Sequence, residues 1–217
     1  MDEKLHVFES PAITVTWSRG RCIHVAECVR GLPGVFQPGR RPWVDPGRAA
    51  ADRVAEVVCR CPTGALHFER RDGGAAEAVP ATTVVTPSRR GPLHLRGDVE
   101  LVAGDGTVVA RDTRMALCRC GTSKNRPFCD GSHWETDFRD DGLVGEGGQP
   151  PQSAASGPLR ITFGVGGPLY AEGPFVLASA RAGVRRELGG GRLCRCGASR
   201  NKPFCDGSHS GTDLRES

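Results

Sequence analysis

The chain has 217 residues, a formal charge of +4, only 6% aromatic residues, and 30 glycines and 16 prolines. This composition favours short strands and turns over one large core, in one or two ordinary domains or three small ones. The mild charge, without a dense Lys/Arg block, argues against nucleic-acid binding. No apolar run has the length of a signal peptide or of a membrane helix, so we expect a cytoplasmic protein without a membrane anchor.

The ten cysteines indicate metal binding rather than disulfides, because thiols in the cytosol stay reduced. A disulfide framework would also leave the regular spacing of two histidines, described below, without an explanation. Small modules with thin cores commonly use metal sites as structural staples. The cysteines are therefore candidate metal ligands.

Residues 1–70 form the first predicted domain. Residues 13–17 (ITVTW) are rich in β-branched residues and predict a strand. The sequence from Asp45 predicts a helix that runs through Val58. Residues 65–68 are short and apolar, and they predict a second strand that pairs with the first. These elements predict a small α+β module.

Three cysteines of this domain, Cys22, Cys28 and Cys61, are candidate ligands, and Cys61 is followed by proline as in ferredoxins. Three cysteines alone suit a [3Fe–4S] cluster. A [4Fe–4S] cluster needs a fourth ligand, for which His24 and Cys59 are the local candidates. Cys59 could equally face the core of the helix, and a zinc site or buried structural cysteines are the alternative for the whole domain.

The segments that carry these cysteines, RCIHVAECVRGLPGVF, RPWVDP and CPTGAL, resemble the divergent single-cluster ferredoxin-like domain that is often described as a 4Fe–4S module. The resemblance covers residues 10–69. It implies one iron–sulfur cluster in the N-terminal domain.

Two near-copies make up the rest of the chain, after a predicted linker at residues 71–90 with a possible strand at 82–85. LCRCGTSKNRPFCDGSHWETDFRDD returns 76 residues later as LCRCGASRNKPFCDGSHSGTDLRES. Asp105-Gly106 predicts a hairpin turn in the first copy. The predicted modules are residues 91–141 and 159–217, joined by a Ser/Pro/Gly-rich, flexible connection at 142–158.

Each copy sets three cysteines and one histidine at the spacing C-x-C-x8-C-x3-H, which is typical of a metal site. Thiolate and imidazole together suit iron–sulfur clusters and also a Cys3His zinc site. The third cysteine and the histidine are four residues apart, which predicts one face of a helical turn with Asp130 as its cap. The candidate ligands are Cys118, Cys120, Cys129 and His133 in the first copy and Cys194, Cys196, Cys205 and His209 in the second.

The full motif, C-x-C-x2-S-x3-P-x-C-D-G-S-H, resembles that of the CDGSH iron–sulfur proteins, the mitoNEET family. The resemblance implies one [2Fe–2S] cluster per motif, bound by the three cysteines and the histidine, beneath a β-rich cap. Two motifs in one chain imply a monomer with an intrachain pseudo-dimer. The expected fold is α+β, with a small ferredoxin-like module followed by two β-rich CDGSH modules.

These features predict a multi-cluster iron–sulfur protein for electron transfer, whose partner is a reductase or an acceptor protein. The chain shows no nucleophile with a free histidine base and no dinucleotide-binding loop, so we do not expect an enzyme. The alternative is cluster storage, delivery or redox/pH sensing, with an apo iron–sulfur acceptor as the partner. Neither nucleic acid nor a membrane is expected as a partner.

Overall fold

The computed structural model describes residues 4–152, 156–179, 183–212 and 214, and the chain divides into two compact units, Met1–Val79 and Pro80–Ser217. Strands predominate over helices, so the protein is mostly β, with a small sheet in the first unit and a larger one in the second. No helix within the described ranges is long and apolar enough to cross a membrane.

The first unit is an antiparallel three-stranded sheet covered by short helices. Its strands pair in chain order, which confirms the two predicted strands and their pairing. The predicted long helix is interrupted, because Ala49 is extended (φ −150°) between a 3-10 turn at Pro46–Arg48 and the second helix. The elements are β1 (Leu5–Glu9), β2 (Ile13–Ser18), α1 (Glu27–Gly31), α2 (Ala51–Val58) and β3 (Leu66–Arg70).

Burial of one face of α2 explains its position. Val54, Val57 and Val58 are fully buried and contribute to a core with residues of β2 and of the loop between the helices. Burying an aliphatic side chain of this size stabilises the fold by about 1.5–3 kcal/mol. The end of α2 is followed by Cys61, which packs against this core.

The second unit is a six-stranded sheet made of two three-stranded repeats. The predicted hairpin at Asp105-Gly106 is confirmed, since the strands on either side of it pair antiparallel. The second repeat has the corresponding hairpin. The elements are β4 (Val84–Pro87), β5 (Leu93–Ala103), β6 (Val108–Leu117), β7 (Leu159–Phe163), β8 (Leu169–Ala178) and β9 (Arg185–Leu193).

The first strand of each repeat pairs with both repeats. Strand β4 is antiparallel to β5 and parallel to β8, while β7 is antiparallel to β8 and parallel to β5. The register is reciprocal: Val84 lies opposite Val176, and Arg160, 76 residues after Val84, lies opposite Glu100, 76 residues before Val176. The two repeats therefore share one sheet and one core. Strand β4 also places the end of the predicted linker inside this sheet.

The connection between the repeats is packed along residues 142–152, where the composition predicted a flexible segment. Gly145 N donates to Lys202 O (2.9 Å), and Gln149 N donates to Gly190 O (2.8 Å). A Cβ atom on Gly145 would lie only 2.8 Å from the carbonyl oxygens of Asn201 and Lys202. The glycine here permits a close backbone approach. Residues 153–155 of the predicted connection lie outside the described ranges.

Candidate metal centres

The ligand loop of each repeat continues the hairpin that precedes it. Strand β6 ends at Leu117, and Cys118 follows directly. Cys118 N donates to Pro127 O (2.8 Å), and Cys129 N donates to Ala116 O (2.9 Å). These bonds fold the loop back onto the strand end, so the first and third cysteines become neighbours. The second repeat has the same bonds, from Cys194 N to Pro203 O and from Cys205 N to Arg192 O.

The four predicted ligands of the first repeat form two close pairs. The Sγ atoms of Cys118 and Cys120 are 3.6 Å apart, and Cys129 Sγ lies 3.3 Å from His133 Nδ1. The pairs of the second repeat have almost the same spacing: 3.7 Å between the sulfur atoms of Cys194 and Cys196, and 3.2 Å from Cys205 Sγ to His209 Nδ1. The structure thus places the eight predicted ligands in four close pairs.

These distances are those of two ligands on one metal. A tetrahedral metal with metal–sulfur bonds of about 2.3 Å separates two sulfur ligands by about 3.7 Å, and a sulfur and a nitrogen by slightly less. Each repeat therefore offers two metal positions, one for each donor pair. Within the described part of the chain, no three His, Cys, Asp or Glu side chains converge on a single ion position. The donor set fits a binuclear cluster.

The aspartate of the motif fixes the turn that carries the histidine. Asp130 Oδ1 accepts hydrogen bonds from the N–H (2.9 Å) and hydroxyl (2.7 Å) of Ser132, and Oδ2 accepts one from Lys124 N (2.8 Å). Burial raises the pKa of Asp130, but these bonds outweigh it and the pKa is lowered overall. The predicted helical turn is a 3-10 turn at Ser132–Trp134, so Asp130 shapes the turn while Gly131 (φ 93°) occupies its N-cap.

The charge states of the donors suit metal binding. Burial lowers the pKa of His133, which keeps its imidazole neutral at pH 7, the form that binds metals. The Cys118 thiol donates to Cys120 and lowers the pKa of Cys120 to about 6, while the pKa of Cys118 is raised. The equivalent bond lowers the pKa of Cys196 to about 5. One thiolate is therefore available in each cysteine pair before a metal arrives.

A buried arginine between the two paired cysteines is a site residue that we did not predict. Arg119 is only 2% exposed; its Nε donates to Gly91 O (2.9 Å), and its Nη1 contacts Asp140 Oδ1 (2.9 Å). It interacts electrostatically with Cys118 and also with Cys194, a predicted ligand of the other repeat. A buried cation beside thiolate-bound metal offsets negative charge. The shared sequence Cys-Arg-Cys in both copies was the available signal.

The two ligand loops touch each other. A Cβ atom on Gly121 would lie 2.9 Å from Cys196 O, and one on Gly197 would lie 3.2 Å from Cys120 O. Both glycines have positive φ, 78° and 83°. Only a residue without a Cβ fits such a contact at low cost. The backbones of the two metal-binding loops are therefore in direct contact.

The N-terminal cysteines meet at a cavity of the first unit. Cys22, Cys28 and Cys61 line it, together with two tryptophans and the loop 23–27. Burial, together with the nearby thiolates of Cys61 and Cys22, raises the pKa of Cys28 to about 11. The cysteines are thus close enough to affect one another's charge, as expected of ligands around one cluster.

The two candidates for the fourth ligand differ in position. His24 lines the cavity and has a left-handed backbone (φ 56°), a conformation that costs energy in a residue other than glycine. Cys59 lies at the C-cap of α2, where its N–H donates to Ala55 O, and it is not among the described residues that line the cavity. The structure therefore brings His24 together with the three cysteines, and it does not bring Cys59 there.

Comparison with known proteins gave matches in both units. A family model described as a divergent 4Fe-4S mono-cluster matches residues 8–71, and one described as an iron-binding zinc finger of CDGSH type matches residues 90–134 and 166–210. The uncharacterized protein YjdI of Escherichia coli strain K12 is 30% identical over 71 residues, which are 33% of this chain and 93% of YjdI.

YjdI of Escherichia coli O157:H7 matches to the same extent. No solved structure matches the chain significantly. The family matches enclose the predicted ligands of all three sites. The chain belongs to the iron–sulfur proteins that join a divergent 4Fe-4S mono-cluster domain to two CDGSH-type iron-binding domains.

Proposed function

We propose that the chain is an electron-transfer protein that carries one [2Fe–2S] cluster in each CDGSH-type site and a third cluster in the N-terminal unit. The observation that carries this proposal is the division of each ligand set into a Cys–Cys pair and a Cys–His pair. Two pairs with the spacing of two metals favour a binuclear cluster over a single zinc ion. Such a cluster supplies one-electron redox chemistry.

The chain's own groups support an anionic cluster in each site. The backbone N–H groups of Ser123 and Gly121 favour the thiolate of Cys118 and act to lower its pKa, and the N–H of Gly131 acts in the same way on Cys129. The guanidinium of Arg119 adds a buried positive charge. Hydrogen bonds and positive charge near the sulfur ligands stabilise a reduced, more negative cluster. These groups would raise the reduction potential.

The N-terminal unit is proposed to hold a [4Fe–4S] cluster on Cys22, Cys28, Cys61 and His24. The cavity position and strained backbone of His24 support it as the fourth ligand. Without that ligand the three cysteines suit a [3Fe–4S] cluster. The iron content and the EPR spectrum distinguish a [3Fe–4S] from a [4Fe–4S] cluster.

The reciprocal pairing of β4 and β7 supports an intrachain pseudo-dimer of the two CDGSH-type modules. One chain then supplies both halves of the arrangement, and a monomer suffices. We propose a carrier in the cytoplasm that has neither a membrane nor a nucleic acid as its partner and no catalytic activity of its own. Its electrons come from a reductase and pass to an acceptor protein.

The proposal is tested on anaerobically purified full-length protein. Iron and acid-labile sulfide analysis should give about four irons for the two [2Fe–2S] clusters and about seven or eight with the N-terminal cluster. Repeated reduction and reoxidation, followed by visible absorbance and EPR, should leave the iron of the electron-carrying clusters bound. Colourless protein with bound zinc and no labile sulfide would refute the proposal.

A further inference from the structure

The cysteine-only half of the two CDGSH-type sites is the same in both repeats. Cys118 and Cys194 are each 2% exposed. Their partners Cys120 and Cys196 are both half-buried. The burial of this cysteine pair therefore does not separate the two sites.

The histidine half is different. Cys129 and His133 are each only 3% exposed, whereas Cys205 and His209 are half-buried. The donor distances in the two halves agree within 0.1 Å, 3.3 Å against 3.2 Å. The spacing of the two donor atoms is therefore the same in both sites, but their exposure to solvent differs.

A tryptophan accounts for part of this difference. The ring of Trp134 lies 4.8 Å from the ring of His133, tilted by 40°, and covers it on the solvent side while remaining 72% exposed. The corresponding residue of the second repeat is Ser210, which is exposed and offers no ring to cover His209. An aromatic contact of this kind stabilises the covered ring by about 0.5–1.5 kcal/mol.

The loop before the central strand of each repeat contributes to the difference as well. A Cβ atom on Gly91 would lie 3.8 Å from His133 Nε2 and 3.1 Å from Ser88 Cβ, so this loop closes over the first histidine. At the matching position, a Cβ atom on Gly167 would have no described atom within 4 Å. The loop of the second repeat leaves open space there.

We infer that the two sites have different roles: the second gives up its [2Fe–2S] cluster to an acceptor with free thiols, and the first retains its cluster. This inference rests on the proposed occupancy of both sites. An acceptor thiolate first replaces the imidazole of His209, and three more replace the three cysteines. The cluster keeps both irons, both sulfides and its electrons. The four protons lost by the acceptor thiols pass to the three freed cysteines and to the freed imidazole or water.

The test uses the full-length, cluster-loaded protein with a plant-type apo-ferredoxin, whose four free cysteines form a [2Fe–2S] site. Circular dichroism in the visible range follows the holo-ferredoxin that forms. We expect a fast phase of about one cluster per chain and a slower second phase. Ser210→Trp should slow the fast phase, and Trp134→Ser should accelerate the slow phase, each by roughly three- to tenfold. Both positions are exposed, so the fold should tolerate either change.

The emission of Trp134 assigns the phases, because a cluster beside His133 quenches this indole. It should stay quenched during the fast phase and recover during the slow one. Three results would overturn this inference and leave the proposed function standing. They are release of both clusters at one rate, recovery of Trp134 emission in the fast phase, and an unchanged rate for Ser210→Trp. Purified protein with zinc and no labile sulfide would overturn the proposed function as well.

Discussion

Replacing Gly121 by alanine tests the contact between the two ligand loops. The new Cβ would lie 2.9 Å from the carbonyl oxygen of Cys196 and 3.2 Å from its Cα. Both are backbone atoms of a loop that is tied to its own strand, so neither moves away cheaply. The substitution should push the two loops apart.

Two costs add in this variant. An alanine at φ 78° destabilises the fold by about 1 kcal/mol, because it must adopt a left-handed backbone. Overpacking a close contact typically costs a further 1–3 kcal/mol. Gly106 offers a matched control in the same unit, since it has φ 89° and a Cβ atom there would meet no described atom within 4 Å. Gly106→Ala should therefore be destabilised only by the left-handed backbone conformation.

Urea unfolding, followed by far-UV circular dichroism, measures the difference. With a denaturant slope of about 2 kcal/mol per M, the extra 1–3 kcal/mol lowers the unfolding midpoint of Gly121→Ala by about 0.5–1.5 M relative to Gly106→Ala. Gly197→Ala should fall between them, because its nearest contact, Cys120 O at 3.2 Å, is less severe. Equal midpoints for Gly121→Ala and Gly106→Ala would refute the loop contact.

Three further predictions concern the sites. His24→Ala should lower the iron content and change the EPR signal of the N-terminal cluster, whereas Cys59→Ser should leave both unchanged; the opposite result would exchange their assignments. Arg119→Met should destabilise the second unit by about 3–5 kcal/mol in urea unfolding, because it leaves the buried Asp140 carboxylate uncompensated, and a second change of Asp140→Leu should restore much of that loss. Asp130→Ala should weaken the histidine turn by about 1–3 kcal/mol, so the iron of the first site should be lost to a chelator faster than in the unchanged protein.

The ligand loops were predictable from the sequence because local geometry determines them. Cys118 and Cys120 are two residues apart on one loop, and Cys129 and His133 are four apart on one turn, so each donor pair forms from neighbours in the chain. The hairpin that precedes them has its own signal in Asp105-Gly106. Such short-range arrangements follow from spacing alone.

The shared sheet was not predictable in the same way. The residues of β4 are β-branched and predict a strand, but pairing partners 92 residues away, as for Val84 and Val176, leave no local pattern. The packing of the glycine-rich connection was not predictable for a related reason. Glycine permits flexibility and close packing equally well, and only the position of Asn201 and Lys202 decides that Gly145 is packed.

Comparison of the two repeats also distinguishes residues that affect both sites from residues that affect only one. Arg119 contacts its own loop and acts on a cysteine of the other repeat, so a change there disturbs both sites at once. Trp134 and Ser210 lie at the surface beside one histidine each, and a change there alters one site and leaves the shared core intact. The two proposed clusters can therefore differ in behaviour through such surface positions, although their ligand sets are the same. The exchange rates of Trp134→Ser and Ser210→Trp measure that difference directly.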